Sequence, residues 1–553
     1  MNYVNPGRFL GLFLLLLLPA LLRAQAVYEP THRDVYNFLT RLANKGVVQF
    51  NDQIRPVTRT DIADLLAEAG SKTDRLTRLE VQELAFFARE YHHERLLQTD
   101  SLPAEARGTW LRNDPAGRFR LASYADKTFK LQVNPIAGIG PNLRNGSINY
   151  HQWAGVYLHG YLGKRIGFSF DFREHYEKGP TIDRLKQFTP ERGAVLLTNE
   201  GPISYGQVNA TLGTSWKWGS FVLGKDALEW GYGEGGKLVL SRKSPSYPFL
   251  RLDVNPVKWL RFTYFHAFLN SRVVDSTAMY PIGFNANGTP RFRTPLRPKY
   301  LVSHTITFLP SPKLSLSLGE SVVYSDKFQP TYLVPLLFFR PADFDLAGGN
   351  DRAASNSQFF FQASARNLLP NTQVYGLFFI DEIKLRSLFD PAKRRNQTGY
   401  TLGLQTVDVP LRHLTATVEY TRINPFVYDN YIPTQTYQNN GFNLGHWMGN
   451  NADQWYGALN YRFLRGLQAR VYVQKIRKAD LIDRTWQVAP RPAPDFLFGK
   501  NRRDYTLFGA DLRYEITHDL LVRLDYFFQR ETRLETGTRN TSRQATLGLS
   551  YGF

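Results

Sequence analysis

The most constraining feature of this chain is a period-two alternation of apolar and polar side chains that begins near Lys127 and continues to the end. In the last segment the apolar positions are Ala545, Leu547, Leu549, Tyr551 and Phe553. Side chains of a β-strand point to opposite faces in turn, so this segment predicts a strand with one apolar and one polar face. Two folds use such a strand: a membrane β-barrel and the half-buried edge of a soluble sandwich.

Comparable alternation recurs throughout this part of the chain. It is clear in residues 168–173, 413–420 and 520–528, and counting such runs gives about 18 strands long enough to cross a bilayer at a tilt. Charged residues occupy the opposite face; they are Asp171, Arg173, Glu419, Arg470, Asp511, Arg513, Arg523 and Asp525. We expect this face to line a lumen, where the charges either pair and fill it or select a charged solute.

The connections between the predicted strands alternate between very short turns and mostly longer loops. The short turns are at 163–166, 218–221, 255–258, 310–313, 369–372, 409–412, 464–467 and 516–519. The long segments are 177–202, 231–246, 271–299, 326–356, 425–452 and 479–502. A barrel with tight periplasmic turns and long external loops has this order, whereas a soluble sandwich has no reason to follow it. An even strand number also returns the carboxyl end to the periplasmic side.

Residues 1–26 have the pattern of a secretory signal peptide. One cation, Arg8, precedes an apolar run that ends at Leu22, and Ala24-Gln25-Ala26 is a small-residue cleavage pattern. The chain has no cysteine, so we expect neither a lipoprotein anchor nor a disulfide. No later run of 18 apolar residues predicts a membrane-spanning helix, and a closed barrel is then the way such a chain enters a membrane.

Residues 27–100 predict a small periplasmic domain of three short helices. The first has apolar residues at helical spacing from Val35 to Leu42 and is stopped by Gly46. Thr58 and Thr77 begin the next two, and Thr77 with Glu80 forms a capping box. Residues 101–126 are predicted as a linker, and 127–553 as an all-β transmembrane barrel of about 18 antiparallel strands.

Composition agrees with this fold and indicates the kind of partner. Aromatic residues make up 14% of the chain, which suits strands and interfacial girdles. The formal net charge is +20, and a basic field recruits acidic partners. For an exported barrel these are anionic glycans or lipopolysaccharide, and the export signal argues against nucleic acid.

Several local motifs resemble the Wzi-type capsule assembly proteins of Gram-negative outer membranes. The segment from Gly224 to Ser241 is similar to the most characteristic part of that family. Further matching segments are Ile380-Asp381-Glu382, Glu419-Tyr420-Thr421, Asn424-Pro425, Tyr428 and Leu444 to Asn450, together with Phe38-Leu39, Arg41-Leu42, Lys45-Gly46, Arg55-Pro56 and Arg59 in the helical domain. These matches cover nearly the whole mature chain.

The resemblance implies an 18-stranded barrel with a periplasmic helical bundle in the outer membrane of a Gram-negative bacterium. It also implies a surface lectin that holds capsular polysaccharide or exopolysaccharide through its external loops. We expect a monomer in contact with outer-membrane lipid or lipopolysaccharide. The alternative function is a porin or transport pore for charged or sugar solutes, which would share the same barrel.

The loop after Gly224 is the first candidate glycan-binding site. Its candidate residues are Lys225, Asp226, Trp230, Tyr232 and Glu234. Trp230 or Tyr232 would stack on a sugar while the charged groups bond hydroxyls or uronates. The other reading is an inward-folded loop that constricts the lumen, with Asp226 and Glu234 paired to wall arginines; the surrounding glycines allow such a close approach.

The loop 425–452 is the second candidate. Its candidate residues are Tyr428, Tyr431, His446 and Trp447. Aromatic faces with neighbouring amides suit carbohydrate, although aromatics that face lipid headgroups have the same composition. The basic groups Lys393-Arg394-Arg395 and Arg502-Arg503 would pair with anionic glycan or lipid phosphate, or are solvated loop charges.

The sequence does not favour an enzyme. Glu229 and Glu234 resemble a glycosidase pair only in being two acids in one loop. The pair His92-His93 has no ligand set at metal spacing, and there is no G-x-S-x-G motif. We therefore predict no catalytic residue, no metal site and no cofactor.

Overall fold

Eighteen antiparallel strands close into a barrel that occupies most of the chain. The computed structural model describes residues 26–98, 107–163, 165–196, 200–349, 354–382, 397–481, 484–487 and 494–552. The barrel strands are β3 (Phe129–Arg144), β4 (Ser147–Leu162), β5 (Ile166–Lys178), β6 (Ile203–Trp216), β7 (Gly219–Asp226), β8 (Tyr247–Val257), β9 (Leu260–Val274), β10 (Leu296–Ser311), β11 (Leu314–Ser325), β12 (Asn356–Arg366), β13 (Thr372–Glu382), β14 (Gln397–Val407), β15 (Leu414–Ile423), β16 (Ala452–Leu464), β17 (Leu467–Asp480), β18 (Lys500–Thr517), β19 (Leu520–Arg533) and β20 (Arg539–Tyr551). The predicted fold class and strand number are confirmed.

The alternation of the last strand is realised as an outer and an inner face. Leu547 and Leu549 on β20 are about half exposed on the outside of the barrel, while Thr546 and Gly548 face inward. Similar apolar side chains cover the outside of the other strands, as Val418 does on β15. This outer belt is the surface that a bilayer covers. The predicted terminal Phe553 lies outside the described residues.

The connections divide between the two ends of the barrel as the sequence predicts. Eight short turns lie at one end, and most of the connections at the other end are long. The exceptions at the long-loop end are the two-residue turn 145–146 and the loop 534–538. Both ends of the barrel sequence, the start of β3 and the end of β20, lie at the short-turn end.

A β-hairpin precedes the barrel within the predicted linker. Its strands are β1 (Arg107–Asn113) and β2 (Phe119–Ala125). β20 pairs with the Ala137–Arg144 part of β3, whereas β2 pairs with the Lys130–Val133 part. The hairpin therefore continues the sheet at the edge where β20 ends. It pairs with backbone groups at the start of β3 that β20 does not reach.

The amino-terminal domain has four α-helices rather than the predicted three. They are α1 (Val35–Asn44), α2 (Arg59–Gly70), α3 (Arg78–Glu90) and α4 (His92–Gln98). The extra helix α4 is set off from α3 by Tyr91, whose backbone leaves helical geometry. The predicted caps are present: Thr58 accepts from the Asp61 amide, and Thr77 and Glu80 form the capping box. None of the described helices is long and apolar enough to cross a membrane.

The helical domain fills the lumen at the short-turn end. Tyr161 of β4 donates to Glu94 at 2.7 Å, and Asn44 donates to Gln405 of β14 at 2.7 Å. Val35, Phe38, Leu39, Leu42, Ile62, Leu66, Leu84 and Phe87 form the core between the helices. The predicted signal peptide lies outside the described residues, apart from Ala26.

Buried ion pairs join this domain and the hairpin to the barrel. Asp519, in the turn between β18 and β19, accepts from Arg118 at 2.7 Å and also pairs with Arg33. Burial alone would raise the pKa of Asp519, but the two guanidinium groups outweigh it and lower that pKa to about 2. Glu83 pairs with Arg462 of β16 at 2.7 Å. The helices are therefore anchored to the wall at several points around the lumen.

Candidate functional site

The long loop 227–246, named here the inner loop, folds into the lumen instead of projecting from it. Trp230 and Glu229 pair with Ile54 and Arg55 of the helical domain as a two-stranded antiparallel sheet. Trp230 is fully buried, and its ring lies 5.0 Å from that of Phe265 on the wall. The inner loop thus connects the long-loop end of the lumen with the helical domain at the other end.

A second loop, residues 424–451, covers the inner loop and is named the cover loop. Three of its side chains donate to backbone carbonyls of the inner loop. Tyr428 donates to Leu238 at 2.6 Å, Tyr437 to Val239 at 3.0 Å, and the Trp447 indole to Gly235 at 2.7 Å. All three acceptors belong to the segment from Gly224 to Ser241 that resembles the Wzi family. These bonds fix one loop against the other, because each satisfies a carbonyl that is removed from water.

Two glycines allow the loops to approach this closely. A β-carbon on Gly445 would lie 2.5 Å from the Leu238 carbonyl oxygen and 2.6 Å from the Tyr428 ring. A β-carbon on Gly236 would lie 2.3 Å from the His446 ring. The close backbone approach that the sequence predicted for the first glycine-rich loop is therefore present.

The two loops form a hydrophobic core inside the barrel. Leu238, Val239, Leu240, Val427, Leu444 and Met448 of the loops pack with wall residues from most of the strands between β7 and β19. Phe188, from the loop 179–202, adds its ring 5.1 Å from Trp447. The lumen is packed at this level in the way a soluble domain is packed.

Polar groups lie between this core and the helical domain, around a cavity of about 320 Å³. Glu419 of β15 accepts from the amides of Glu234 and Gly235, both at 2.7 Å. The Glu234 carboxylate accepts from Gln405 at 2.6 Å. The charges of the inward face thus hold the inner loop in place. Asp226 lies 3.9 Å from Arg192, which belongs to the loop 179–202 and not to the wall.

The structure separates the nine candidate glycan-binding residues into two groups. Eight of them are buried, half-buried or turned towards the internal cavity. They are Lys225, Asp226, Trp230, Tyr232, Glu234, Tyr428, His446 and Trp447. Burial lowers the pKa of His446 to about 3, so its ring is neutral. Tyr431 alone of the nine has its aromatic side chain at the outer surface, with 39% of its area exposed. Direct contact of these residues with a glycan stays a prediction.

The outer surface of the cover loop, named here the roof, is rich in amide side chains. The half-exposed amides of this loop are Asn430, Gln438, Asn440, Asn443 and Asn450, and Tyr431 is exposed in the same loop. Amides in this loop were expected from the sequence, but nothing in the pattern separates roof residues from core residues. Of the predicted basic groups, Arg502 and Arg503 pair with Asp504 and Asp480. Lys393-Arg394-Arg395 lies outside the described residues.

Comparison with known protein families decides the identity of this barrel. The sequence pattern described as capsule assembly protein Wzi matches residues 153–545, from β4 to β20. The chain belongs to the Wzi family. This confirms the resemblance found in the sequence and makes the chain an outer-membrane β-barrel of a Gram-negative bacterium. A search of curated proteins found no match.

One solved structure supports the Wzi fold, and two others are more distant. The Escherichia coli protein described as Wzi, an outer-membrane protein involved in group 1 capsule assembly and a carbohydrate-binding β-barrel, is 11% identical, with a TM-score of 0.56. The match covers 96% of this chain and 100% of that one. OccK5 (OpdH) of Pseudomonas aeruginosa is 12% identical, with a TM-score of 0.42, over 76% of this chain and 97% of its own. OccAB2 of Acinetobacter baumannii is 13% identical, with a TM-score of 0.43, over the same shares.

Proposed function

We propose that this Wzi-family barrel is a lectin-like anchor that holds capsular polysaccharide or exopolysaccharide at the cell surface. The long-loop end faces outward and the helical domain lies in the periplasm, after removal of a signal peptide within residues 1–26. The protein acts as a monomer without catalytic chemistry, and its exposed cations contact lipopolysaccharide. Family membership and the carbohydrate binding described for the E. coli Wzi protein support this assignment.

One observation carries the proposal: the cover loop and the inner loop are packed together and leave the roof as the outer face of the lumen. The Trp447–Gly235 hydrogen bond and the core around Leu238 and Leu444 hold that face in place. A rigid surface loses little conformational entropy when it binds a flexible polymer. Repeated weak contacts along one long polysaccharide then give avidity without any single tight site.

The roof supplies the groups that such a contact needs. Tyr431 offers an exposed aromatic face for the apolar side of a sugar ring. The half-exposed amides of the same loop, such as Gln438 and Asn440, offer donors and acceptors for hydroxyl groups. The buried candidates Trp230, Tyr428 and Trp447 contribute by holding the roof in shape.

The test is a double variant of the roof, Tyr431→Ala with Gln438→Ala. We expect weaker binding of the refolded protein on a glycan array and more polysaccharide released from cells into the medium. The control is Tyr526→Ala, because Tyr526 is 41% exposed but lies on the outer belt at β19. Glycan binding and cell-associated polysaccharide that equal the wild type in the roof variant would contradict the proposal.

A further inference from the structure

The outer wall of the barrel carries a polar site where lipid would be expected. On β11, Glu320 shares its outward face with Leu316 and Leu318, both exposed on the outer belt. On β10, His304 shares its outward face with Phe308 in the same way. The two residues are register partners, and their side chains lie 3.7 Å apart. A carboxylate that faces acyl chains is unfavourable unless protein groups satisfy it.

The loop between β11 and β12 supplies those groups by folding down over the outside of the wall. Residues 326–349 of this loop are named here the strap, and they include the helix α5 (Phe339–Leu346). Glu320 accepts from the amides of Phe339 and Arg340 at 2.8 and 2.7 Å, at the amino end of α5. Both amides belong to the helix turn that lacks internal acceptors, so the carboxylate caps the helix.

Two further hydrogen bonds fasten the strap to neighbouring strands. Tyr264 of β9 donates to the Tyr332 carbonyl at 2.7 Å, and a ring nitrogen of His304 lies 3.0 Å from the Pro335 carbonyl. The surface of the strap that faces the wall is apolar. Tyr332 and Phe339 of the strap pack on the outward residues Val302, Val322 and Tyr324. The strap is therefore part of the wall and does not project from the barrel.

The other side of the strap exposes large apolar side chains, and its exposed charges, Asp326, Lys327, Arg340 and Asp345, lie outside the segment from Tyr332 to Phe339. The exposed large side chains of the strap are Phe328, Val334, Leu336, Phe338, Phe344 and Leu346. Leu336 has 78% of its surface exposed. From Tyr332 to Phe339 the sequence is Tyr-Leu-Val-Pro-Leu-Leu-Phe-Phe, without a charged residue. A patch of this kind on a segment in water would be a liability for a surface protein.

We propose that the strap lies in the outer leaflet of the membrane, with Val334, Leu336, Phe338 and Phe344 among the lipid acyl chains. The occupant of this face is lipid because the face is continuous with an established lipid-facing surface. Phe338 lies 6.0 Å, ring to ring, from Phe359 on the outer wall, next to the exposed Phe361. The strap thus widens the outer belt on one side of the barrel, as an interfacial amphipathic segment does.

The arrangement also explains the polar residues on this part of the wall. Glu320 and His304 are shielded from lipid by the strap, and the strap keeps its own amides and carbonyls satisfied by bonding to them. Backbone polar groups at membrane depth are tolerated where protein satisfies them. Glu320 is therefore the positioning residue for a membrane-embedded loop.

The chain has no cysteine, so single cysteines can be placed and spin-labelled without a background. The labelled variants are Leu336→Cys and Phe344→Cys on the strap, Val418→Cys on the outer belt and Asn287→Cys at the polar tip of the loop between β9 and β10. Val418 is 54% exposed and is the lipid control, while Asn287 is exposed and is the water control. Each protein is reconstituted into dioleoylphosphatidylcholine vesicles. The accessibility of the label to oxygen and to a water-soluble nickel chelate is measured by power-saturation electron paramagnetic resonance.

We expect labels at 336 and 344 to behave like the label at 418, with high oxygen and low nickel accessibility. Nickel accessibility at both strap positions equal to that at 287 would overturn the proposal, because the strap would then lie in water. Low accessibility to both reagents would also overturn it, because a second protein copy would then cover the face. These positions are exposed, so the labels leave the folding of the barrel unchanged.

Discussion

The Trp447 indole donates its N–H to the Gly235 carbonyl oxygen at 2.7 Å, inside the lumen of the barrel. The bond connects two loops that are more than two hundred residues apart in sequence, and both groups are buried. It holds the cover loop against the inner loop, which agrees with the reading of the loop after Gly224 as an inward-folded loop. The rigidity of the roof, and so the proposed function, depends on contacts of this kind.

Trp447→Phe tests this bond. The substitution keeps an aromatic ring but leaves the Gly235 carbonyl without its donor, at a cost of about 1–3 kcal/mol. We expect the cover loop to open more often and to be cleaved by protease about tenfold faster or more. The control is Trp455→Phe, because Trp455 lies exposed on the outer belt. Equal cleavage rates in the two variants would mean that the bond does not hold the loop.

Gly445→Ala tests the close approach of the two loops. The added β-carbon would lie 2.5 Å from a carbonyl oxygen, so the backbone must shift, at about 1–3 kcal/mol. We expect faster hydrogen exchange at the amides of residues 442–448. Gly206→Ala is the matched control, since a β-carbon there meets nothing within 4 Å. Unchanged exchange in Gly445→Ala would contradict the packing.

The docking of the helical domain depends on pH through Asp519. Its pKa is about 2 when it is docked against Arg33 and Arg118, and about 4 when it is exposed. A lowered pKa gives a stabilisation that is complete above about pH 4 and is lost as the pH falls towards 2. The hydrogen exchange rate of α1–α4, corrected for the intrinsic rate at each pH, should therefore rise as the pH falls from about 4 to 2.

Asp519→Asn provides the comparison for this pH dependence. The variant lacks the titrating carboxylate, so its helices should exchange faster at pH 7 and depend less on pH between 4 and 2. An identical pH profile in the two proteins would show that other carboxylates control the docking.

Arg59 is the centre of a buried charge cluster in the helical domain. Its guanidinium bonds Glu94 at 2.8 Å and Glu90 at 3.1 Å, and also pairs with Glu29. Arg59→Ala leaves the buried Glu94 without its ion-pair partner, while Glu90 keeps Arg118 and Arg120 and Glu29 keeps Arg33; breaking a buried pair of this kind costs about 3–5 kcal/mol. We expect the domain to become sensitive to protease at pH 7, while Arg78→Ala, at an exposed position of α3, should leave it resistant.

The barrel was predictable because its strands obey a local rule. The alternation in β20 and the short turns such as 464–467 depend only on neighbouring residues, and each strand repeats the same signal. The hairpin β1–β2 was missed because its strands are short and Gly108, Pro115 and Gly117 read as a loop. The fourth helix, α4, was missed because only Tyr91 separates it from α3.

The direction in which a loop folds was not predictable from composition. Glycines, aromatics and amides suit both a glycan-binding surface and a close-packed plug. Trp230 and Tyr431 therefore look alike in sequence, although Trp230 is buried and Tyr431 is exposed. A usable signal was the apolar run Leu238-Val239-Leu240 inside a loop. The run from Tyr332 to Phe339 is a similar signal for the strap.

Single-channel conductance in planar lipid bilayers measures whether the lumen is closed. The inner loop, the cover loop and the helical domain fill the lumen, so the purified wild-type protein should insert without measurable ion current. Stable open channels of uniform conductance, found repeatedly with the wild type, would contradict a plugged anchor and would indicate a transport pore.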